Sequence, residues 1–290
     1  MVTTPASAVS RTGYDPDFLA VRIDPPPAPE PNKDSPLLPY THFTVCLNTR
    51  RRLAWWVAWN IDGHRLHPGE GALSRDGIDF AADDRVPSKY QALDDVYYKN
   101  RFDRGHIARR ADLLWGDLAE AKAANLDSFY FPNITPQMDI FNQSRRAGEL
   151  DPPDPGSPAE SWGLLENAVL AFDGLDQRRI SVLGGPVLSD DDEEHFGLLI
   201  PTGFWKVVIY AVDGSLRFRA FVLTQDITEA GFRRLDYLAD FQTYQVDLAD
   251  LEQRTTLSFA NLRTVVDDRQ LRKARLENPI HVTDVTGIAW

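Results

Sequence analysis

The sequence feature that most constrains the fold is a strand-like segment that is hydrophobic on both of its faces. Residues 52–60 are Arg-Leu-Ala-Trp-Trp-Val-Ala-Trp-Asn, and residues 42–45 are similarly rich in aromatic and β-branched side chains. Asn48-Thr49-Arg50 lies between the two segments, an arrangement that predicts a β-hairpin. A strand with one solvated face would alternate apolar and polar residues. We therefore predict that this hairpin belongs to a buried central sheet.

Strand-like and helix-forming segments alternate over the rest of the chain. Residues 179–183, 204–212 and 216–223 predict strands, with the turn Asp213-Gly214 between the last two. Residues 128–134 predict a short extended segment. Helices are predicted at residues 117–125, 162–172 and 228–238. Residues 136–146 predict another helix, because Pro136 suits a first helical turn.

The domain organisation is predicted from a proline-rich segment near the N-terminus. Seven prolines between residues 24 and 39 disfavour both helix and central strand. We predict an extended proline-rich arm at residues 1–39, one large domain at residues 40–265 and a C-terminal extension at residues 266–290. Tyr14 and Phe18 precede the prolines. They could anchor on this domain or on a second subunit, so a homodimer stays open.

Residues that carry chemistry are concentrated between Asp103 and Asn142. The three segments are Asp103-Arg104-Gly105-His106, Asn133-Ile134-Thr135-Pro136-Gln137 and Asn142-Gln143. Hydrolysis of a phosphodiester requires a base that activates water, a divalent cation that neutralises charge and an arginine that binds the non-bridging oxygens. These segments contain residue types suited to all three tasks.

These segments resemble the motifs of the DNA/RNA non-specific endonucleases of the ββα-metal type. The resemblance covers residues 40–262 and includes residues 75–80 upstream and residues 162–166, 184–186 and 201–206 downstream. It implies an α+β protein with the ββα-metal nuclease fold. In that fold a central, mainly antiparallel β-sheet is flanked by helices. Residues 241–246 and 248–252 resemble the closing strand and helix of the family.

The resemblance also implies roles for the catalytic residues. His106 is implied as the general base, and an imidazole with an ordinary pKa of about 6.5 can accept a proton near neutral pH. Arg104 and Arg75 are implied to stabilise the charge that develops on the phosphoryl oxygens. Asn133 is implied to position a catalytic loop or to hold His106.

A single divalent cation is implied as the cofactor. The resemblance makes Asn142 its direct ligand and places Glu166 and Asp103 in contact with the metal through water. Mg²⁺ is expected, with Mn²⁺ as a substitute, because Mg²⁺ prefers octahedral oxygen ligands and retains several waters. A solvated carboxylate on a helix surface is the alternative interpretation of Glu166.

The function implied is a metal-dependent, sequence-non-specific endonuclease that hydrolyses DNA and RNA and leaves 5′-phosphate ends. One alternative is a catalytically weakened nucleic-acid-binding module on a nuclease fold. A second alternative is a phosphatase or phosphodiesterase for small substrates. That class would be expected to carry several carboxylates or histidines around two metals, and the sequence has no such cluster.

The chain departs from the family pattern in two places. Residues 145–158 are inserted between Asn142 and the segment that contains Glu166. Secreted members carry an arginine four residues after that glutamate, whereas this chain has Leu170. Arg145 or Arg146 could supply the missing cation.

Two aromatic residues and one cysteine have both structural and functional interpretations. Trp55 and Trp59 are predicted to share one face of their strand with Val57. They could stack on nucleic-acid bases, but the hydrophobic character of both faces favours core packing. Cys46 is the only cysteine, which excludes an intrachain disulfide, and we interpret it as a small core residue.

The charge distribution is unusual for a protein that binds nucleic acids. The formal net charge is −12, and affinity for nucleic acids depends mainly on neutralising phosphates. Arginines are nevertheless clustered near the motifs, at positions 50–52, 101, 104, 109, 110, 145 and 146. Acidic residues are dense at 190–194 and 247–252. We predict a local basic cleft on an acidic body.

The expected partners follow from the implied activity. DNA and RNA are the expected substrates, and no segment is apolar enough for a membrane span. Residues 1–20 lack the apolar region of a secretion signal, so a cytoplasmic location is the default expectation. A non-specific nuclease there endangers its host. An inhibitor, an activating protein or a specialised export route is therefore expected.

Overall fold

A large, mainly antiparallel β-sheet organises the molecule. The computed structural model describes residues 10–29, 35–138, 178–225, 227, 243–267 and 280–282. The strands are β1 (Leu37–Pro39), β2 (Phe43–Asn48), β3 (Leu53–Asp62), β4 (Phe102–His106), β5 (Ile134–Met138), β6 (Arg179–Val187), β7 (Glu193–His195), β8 (Leu198–Ile200), β9 (Gly203–Val212), β10 (Ser215–Thr224), β11 (Thr243–Val246), β12 (Val266–Asp267) and β13 (Ile280–Val282). The main sheet has the order β1-β2-β3-β6-β9-β10-β11-β13. Strand β12 also pairs with β10, in parallel.

Strands β4 and β5 form a separate antiparallel pair, and β7 and β8 form another. Among the described residues, the helices are α1 (Arg110–Leu113), α2 (Leu118–Asp127) and α3 (Leu248–Thr255). None of the described helices is long and apolar enough to span a bilayer. This architecture confirms the predicted α+β class with a mainly antiparallel sheet.

The main sheet has a hydrophobic layer on each face. One layer joins side chains of β2, β3, β6 and β9 to residues of α1, β4 and β5, including Leu113, Phe102 and Met138. The other layer packs the opposite face against the N-terminal segment and α3, through residues such as Phe18 and Leu251. Burial of both faces explains why residues 52–60 lack polar alternation.

The hairpin formed by β2 and β3 confirms the first sequence prediction, but with a β-bulge. Val45 pairs with Val57 and Cys46 with Trp56, whereas Leu47 pairs with Ala54, so Trp55 is an extra residue. An extra residue shifts the alternation of side chains along a strand. Trp59 and Val57 pack in the layer that contains β4 and β5, and Trp55 packs in the other. The prediction that Trp55 and Trp59 share a face is therefore wrong.

The core-packing interpretation is confirmed for Trp59, which is completely buried. Its indole N–H donates to the Asp112 carboxylate at 3.0 Å. Cys46 is also buried, as expected of a small core residue. These side chains therefore stabilise the sheet and are inaccessible to a nucleic acid.

Both flanking segments contribute to the sheet. Strand β1 pairs with β2, and β12 and β13 pair with β10 and β11. The sheet therefore includes residues on both sides of the boundaries predicted at 39/40 and 265/266. Tyr14 and Phe18 are buried against the rest of this chain, and the Tyr14 backbone N–H donates to Thr44 Oγ1 at 2.9 Å. The two aromatics thus anchor the N-terminal segment on its own domain.

Two of the predicted helices are confirmed. The helix predicted at residues 136–146 is wrong over residues 136–138, the part of it that the structure describes. Asp117 and Glu120 form a reciprocal capping box at the start of α2, which satisfies N–H groups that the helix leaves unpaired. Helix α3 follows β11 as expected. Pro136, by contrast, lies in β5 opposite Arg104. The predicted helices at 162–172 and 228–238 and the remainder of 136–146 lie outside the described residues.

Candidate active site

The pairing of β4 with β5 brings the first two motifs together. Arg104 lies opposite Pro136, and His106 lies opposite Ile134. Asp103 lies opposite Gln137, and Gly105 lies opposite Thr135. We call this pair of strands the β4–β5 hairpin. Directly opposed residues of an antiparallel pair project to the same side, so the hairpin has two different faces.

We call the side that carries Arg104 and His106 the base face. The side that carries Asp103, Gly105, Thr135 and Gln137 is called the amide face.

Gln225 anchors the hairpin to the main sheet. Its side chain accepts from the Met138 N–H at 2.9 Å and donates to the Pro201 carbonyl at 2.8 Å. Sequence reasoning missed Gln225, which has no local pattern around it.

Asn133 fixes the chain that follows His106. Its carbonyl accepts from the Ile107 N–H at 2.9 Å, and its Oδ1 accepts from the Ala108 N–H at 2.9 Å. Its Nδ2 donates to the carbonyls of Ala108 and Ser128 at 3.0 and 3.1 Å. The side chain is completely buried. These bonds fit the predicted positioning role and leave Asn133 remote from solvent.

His106 lies in an aromatic setting that favours its neutral form. The rings of Phe80 and Phe129 lie 5.6 and 5.3 Å from the His106 ring, centroid to centroid. The ring is partly exposed, but its Nε2 is buried and has no hydrogen-bond partner. Burial, together with the positive charges of Arg75 and Arg110, lowers the pKa of His106 to about 3. At neutral pH the imidazole is therefore unprotonated and able to accept a proton.

Arg104 and Arg75 occupy different electrostatic environments. The Arg104 guanidinium lies over the rings of Phe80 and Tyr97, at 5.4 and 5.2 Å from their centroids. It also donates to Asp94 Oδ1 at 2.5 and 3.0 Å. Asp94 is 67% exposed, so this pair is weak and a phosphate could replace the carboxylate. Arg75 is exposed and has no ion-pair partner within the described part of the chain.

Gly105 is required because the Gln137 side chain crosses the strand at this point. A Cβ atom at position 105 would lie 2.0 Å from Gln137 Oε1. Gln137 is completely buried, yet its Oε1 and Nε2 have no hydrogen-bond partner, and neither has Thr135 Oγ1. Buried polar atoms are almost always hydrogen-bonded. Gln137 belongs to the second motif, four residues after Asn133, but the sequence pattern alone assigned it no role.

The amide face fits the divalent cation that the family resemblance implies. It combines the Asp103 carboxylate, the Gln137 amide oxygen and the Thr135 hydroxyl, and oxygen donors of this kind suit Mg²⁺ or its bound waters. The described residues contain no cluster of three or more His, Cys, Asp or Glu side chains. Asn142 and Glu166 lie outside the described residues, as do Arg145, Arg146, Leu170 and the insertion.

Two described arginines of the predicted basic cleft have structural roles instead. Arg51 is buried and binds the Asp192 carboxylate and the Ser189 carbonyl. Arg52 donates to the Gln91 carbonyl at 3.0 Å. These two arginines therefore maintain the fold. Arg110 remains close enough to lower the pKa of His106.

Known proteins share both the motifs and the architecture. The family model of the DNA/RNA non-specific endonucleases matches residues 26–264. An uncharacterized protein of Sinorhizobium fredii is 34% identical over 277 residues, which are 87% of this chain and 39% of that protein. Human mitochondrial endonuclease G is 27% identical over 194 residues, which are 62% of this chain and 57% of that protein. The chain thus spans less than two thirds of the length of either relative.

A solved structure shows the same fold. The crystal structure of the EndoG/EndoGI complex matches with a TM-score of 0.62 and 18% identity, over 90% of this chain and 96% of that chain. Its match supports the ββα-metal nuclease fold expected from the motifs. Because the family model spans most of the sequence, the chain belongs to the DNA/RNA non-specific endonuclease family.

Proposed function

We propose that this protein is a Mg²⁺-dependent endonuclease that cleaves DNA and RNA with little sequence preference and leaves 5′-phosphate ends. The observation that carries the proposal is the neutral His106, whose buried Nε2 has no partner and which lies beside Arg104 and Arg75. A base next to two arginines suits an anionic substrate whose hydrolysis begins with deprotonation of water.

In the proposed chemistry, residues of the base face activate water and bind phosphate, and a bound cation stabilises charge. On the base face, the His106 imidazole accepts a proton from the attacking water. Arg104 leaves Asp94 and, together with Arg75, binds the non-bridging phosphate oxygens. Asn142 would bind the cation directly, and Asp103 and Glu166 would bind it through water. When bound, Mg²⁺ would neutralise phosphate charge and stabilise the leaving 3′-oxygen.

The same contacts support broad substrate use. The residues assigned here bind phosphate oxygens or activate water, and such contacts carry no information about base identity. Phosphodiester groups are common to DNA and RNA. Cleavage of both polymers at many positions is the expected result.

The direct test combines a plasmid-nicking assay with end-group analysis. Supercoiled DNA and a structured RNA are incubated with the protein in Mg²⁺, in Mn²⁺ and in EDTA, and the new ends are tested for 5′-phosphate. We expect cleavage of both polymers with either metal and none in EDTA. Binding without cleavage in any divalent cation would favour the alternative, a catalytically weakened nucleic-acid-binding module.

The proposed metal ligand is tested by a titration. Asn142→Ala should raise the Mg²⁺ concentration needed for half-maximal activity, because it removes the proposed direct ligand. Asn261→Ala is the matched control, since Asn261 is exposed and its amide donates only to the Asp24 carbonyl. If the two variants need the same Mg²⁺ concentration, the metal is bound elsewhere.

A protein inhibitor is the proposed partner. Its support is that the solved structure with this fold is described as a complex of EndoG with EndoGI. An inhibitor would protect host nucleic acids from a nuclease without sequence preference. Affinity capture from the source cells with the His106→Ala variant, followed by inhibition of the wild-type enzyme, would test this proposal.

A further inference from the structure

The loop that carries Arg75 is held by two side chains from the helices that follow β4. Arg110 Nη1 donates to the Leu73 carbonyl at 2.8 Å, and Asn125 Nδ2 donates to the carbonyls of Leu73 and Ser74 at 3.3 and 3.2 Å. Arg110 and Asn125 are also joined, because Arg110 Nη1 donates to Asn125 Oδ1 at 3.1 Å. The chain immediately before Arg75 is thus fixed through its backbone.

The loop packs closely around the Arg110 guanidinium. Arg110 Nη2 lies 3.4 Å from the Gly69 carbonyl. A Cβ atom at position 69 would lie 2.7 Å from the same nitrogen. The absence of a side chain at Gly69 therefore permits this approach. Arg110 binds both ends of the segment from Gly69 to Leu73.

No carboxylate forms an ion pair with Arg110 in the described part of the chain, although the charge of Asp76 acts on its guanidinium. Its hydrogen-bond acceptors are two backbone carbonyls and the Asn125 amide oxygen. Burial, and then the charges of Arg75 and Arg109, lower the pKa of Arg110. Charged side chains in such partly buried positions are usually paired with an opposite charge. A neutral amide could donate to the same carbonyls, so these hydrogen bonds alone do not explain why position 110 carries a positive charge.

We propose that Arg110 is a positioning residue that fixes the Arg75 loop beside His106, while its positive charge strengthens the site's attraction for phosphate. This inference rests on the proposed nuclease function. Arg75 contacts the phosphate, and Arg110 acts through the loop and through its charge. The ligand class of the Arg75, Arg109 and Arg110 group is a phosphate anion.

The test separates the charge of Arg110 from its hydrogen-bonding geometry. Arg110→Met removes both, whereas Arg110→Lys keeps the charge but loses the planar fork. Arg65→Met is the matched control, because Arg65 is an exposed arginine that pairs with Glu120. The measurements are kcat and KM on a short DNA, the affinity for inorganic phosphate without metal, and amide hydrogen exchange of residues 70–76.

We expect Arg110→Met to lower kcat/KM by about 10²-fold, the loss associated with a misplacement of about 1 Å in an active site. The same variant should bind inorganic phosphate more weakly and exchange the amides of residues 70–76 faster. Arg110→Lys should retain more phosphate affinity than Arg110→Met but show a similar increase in exchange. Arg65→Met should stay within about twofold of the wild type.

Two results would overturn the inference. One is unchanged exchange of residues 70–76 in both Arg110 variants, and the other is unchanged phosphate affinity in Arg110→Met. If Arg110→Met does not fold, the exchange and kcat of Arg110→Lys decide the positioning role. A wild-type protein that cleaves no nucleic acid would refute the proposed function. The exchange and phosphate measurements would still decide whether Arg110 positions the loop.

Discussion

Two buried polar clusters of this molecule are similar in burial and opposite in how their polar atoms are paired. The Asp127 carboxylate accepts from the Thr41 N–H and hydroxyl, both at 2.9 Å, and from Arg11 Nη2 at 2.7 Å. On the β4–β5 hairpin, the amide of Gln137, the hydroxyl of Thr135 and the Nε2 of His106 have no partner. The first cluster is complete within the protein, and the second is suited to a substrate, water or metal.

This difference separates residues that stabilise the fold from residues that serve chemistry. A satisfied buried network contributes to stability, whereas an unpaired buried polar atom costs stability. Proteins keep such atoms mainly at functional sites. Substitutions in the Asp127 cluster should therefore affect unfolding, and substitutions on the hairpin should affect activity.

The largest expected effect is on catalysis at His106. His106→Ala should lower kcat by about 10²–10⁴-fold, because a general base typically contributes that much. Stability should change little by comparison. The exposed His64 provides the control variant His64→Ala, which should match the wild type. Single-turnover cleavage by His106→Ala at more than a tenth of the wild-type rate would remove His106 from the mechanism.

The next effect is on stability at Asp127. Asp127→Ala should lower the free energy of unfolding by about 3 kcal/mol, because it leaves the buried Thr41 N–H and hydroxyl and the partly buried Arg11 without their acceptor. Urea unfolding of Asp127→Ala and of the exposed control Asp191→Ala measures the difference. Equal denaturation midpoints for the two variants would show that the Asp127 cluster stabilises the protein no more than an exposed aspartate does.

Asn133 and Gln137, two amide residues of one motif, test the comparison between paired and unpaired buried polar groups. Asn133→Leu should lower the free energy of unfolding by about 1–3 kcal/mol for each buried backbone group that it leaves unpaired. Gln137→Met removes an amide that has no partner, so its free energy of unfolding should be unchanged or slightly higher. Its Mg²⁺ affinity, measured by calorimetry, should fall. Equal destabilisation by the two substitutions would contradict the proposed difference.

The smallest expected effect is a shift in the pH dependence of activity. The base must be unprotonated, so kcat/KM falls as the pH drops through the pKa of folded His106, which lies below its ordinary value of 6.5. Removing the Arg75 charge should raise that pKa and move the acidic limb upward by less than about one pH unit. The pH profiles of Arg75→Gln and of Arg254→Gln, on the remote helix α3, would show this. If the acidic limbs of the two variants are identical, the charge of Arg75 does not act on the pKa of His106.

The lowered pKa also has a consequence for stability. Between the folded pKa of about 3 and the ordinary value of 6.5, the unfolded chain binds a proton at His106 that the folded protein does not. Stability contributed by the neutral imidazole is therefore complete above about 6.5 and is lost as the pH falls. His106→Ala should lose less stability than the wild type between neutral and acidic pH.

Local patterns in the sequence were sufficient for much of the fold and for the location of the site. The strands around residues 53–62 and 203–224 and the capped helix after Asp117 were predictable because their signals lie within a few residues of each other. The family motifs identified His106 and Asn133 by residue type and spacing. Their chemistry depends on side-chain identity, which the sequence states directly.

Tertiary structure decided what depends on residues distant in the chain. The bulge at Trp55 changed which face it occupies, and pairing with β4 made a strand of the segment that contains Pro136. Asp192, 141 residues away, made Arg51 a structural residue. The sequence determined which chemical groups are present. Packing between distant segments determined which of them are paired, as at Asp127, and which are left unpaired, as at Gln137, because burial and hydrogen-bond partners are properties of the folded chain.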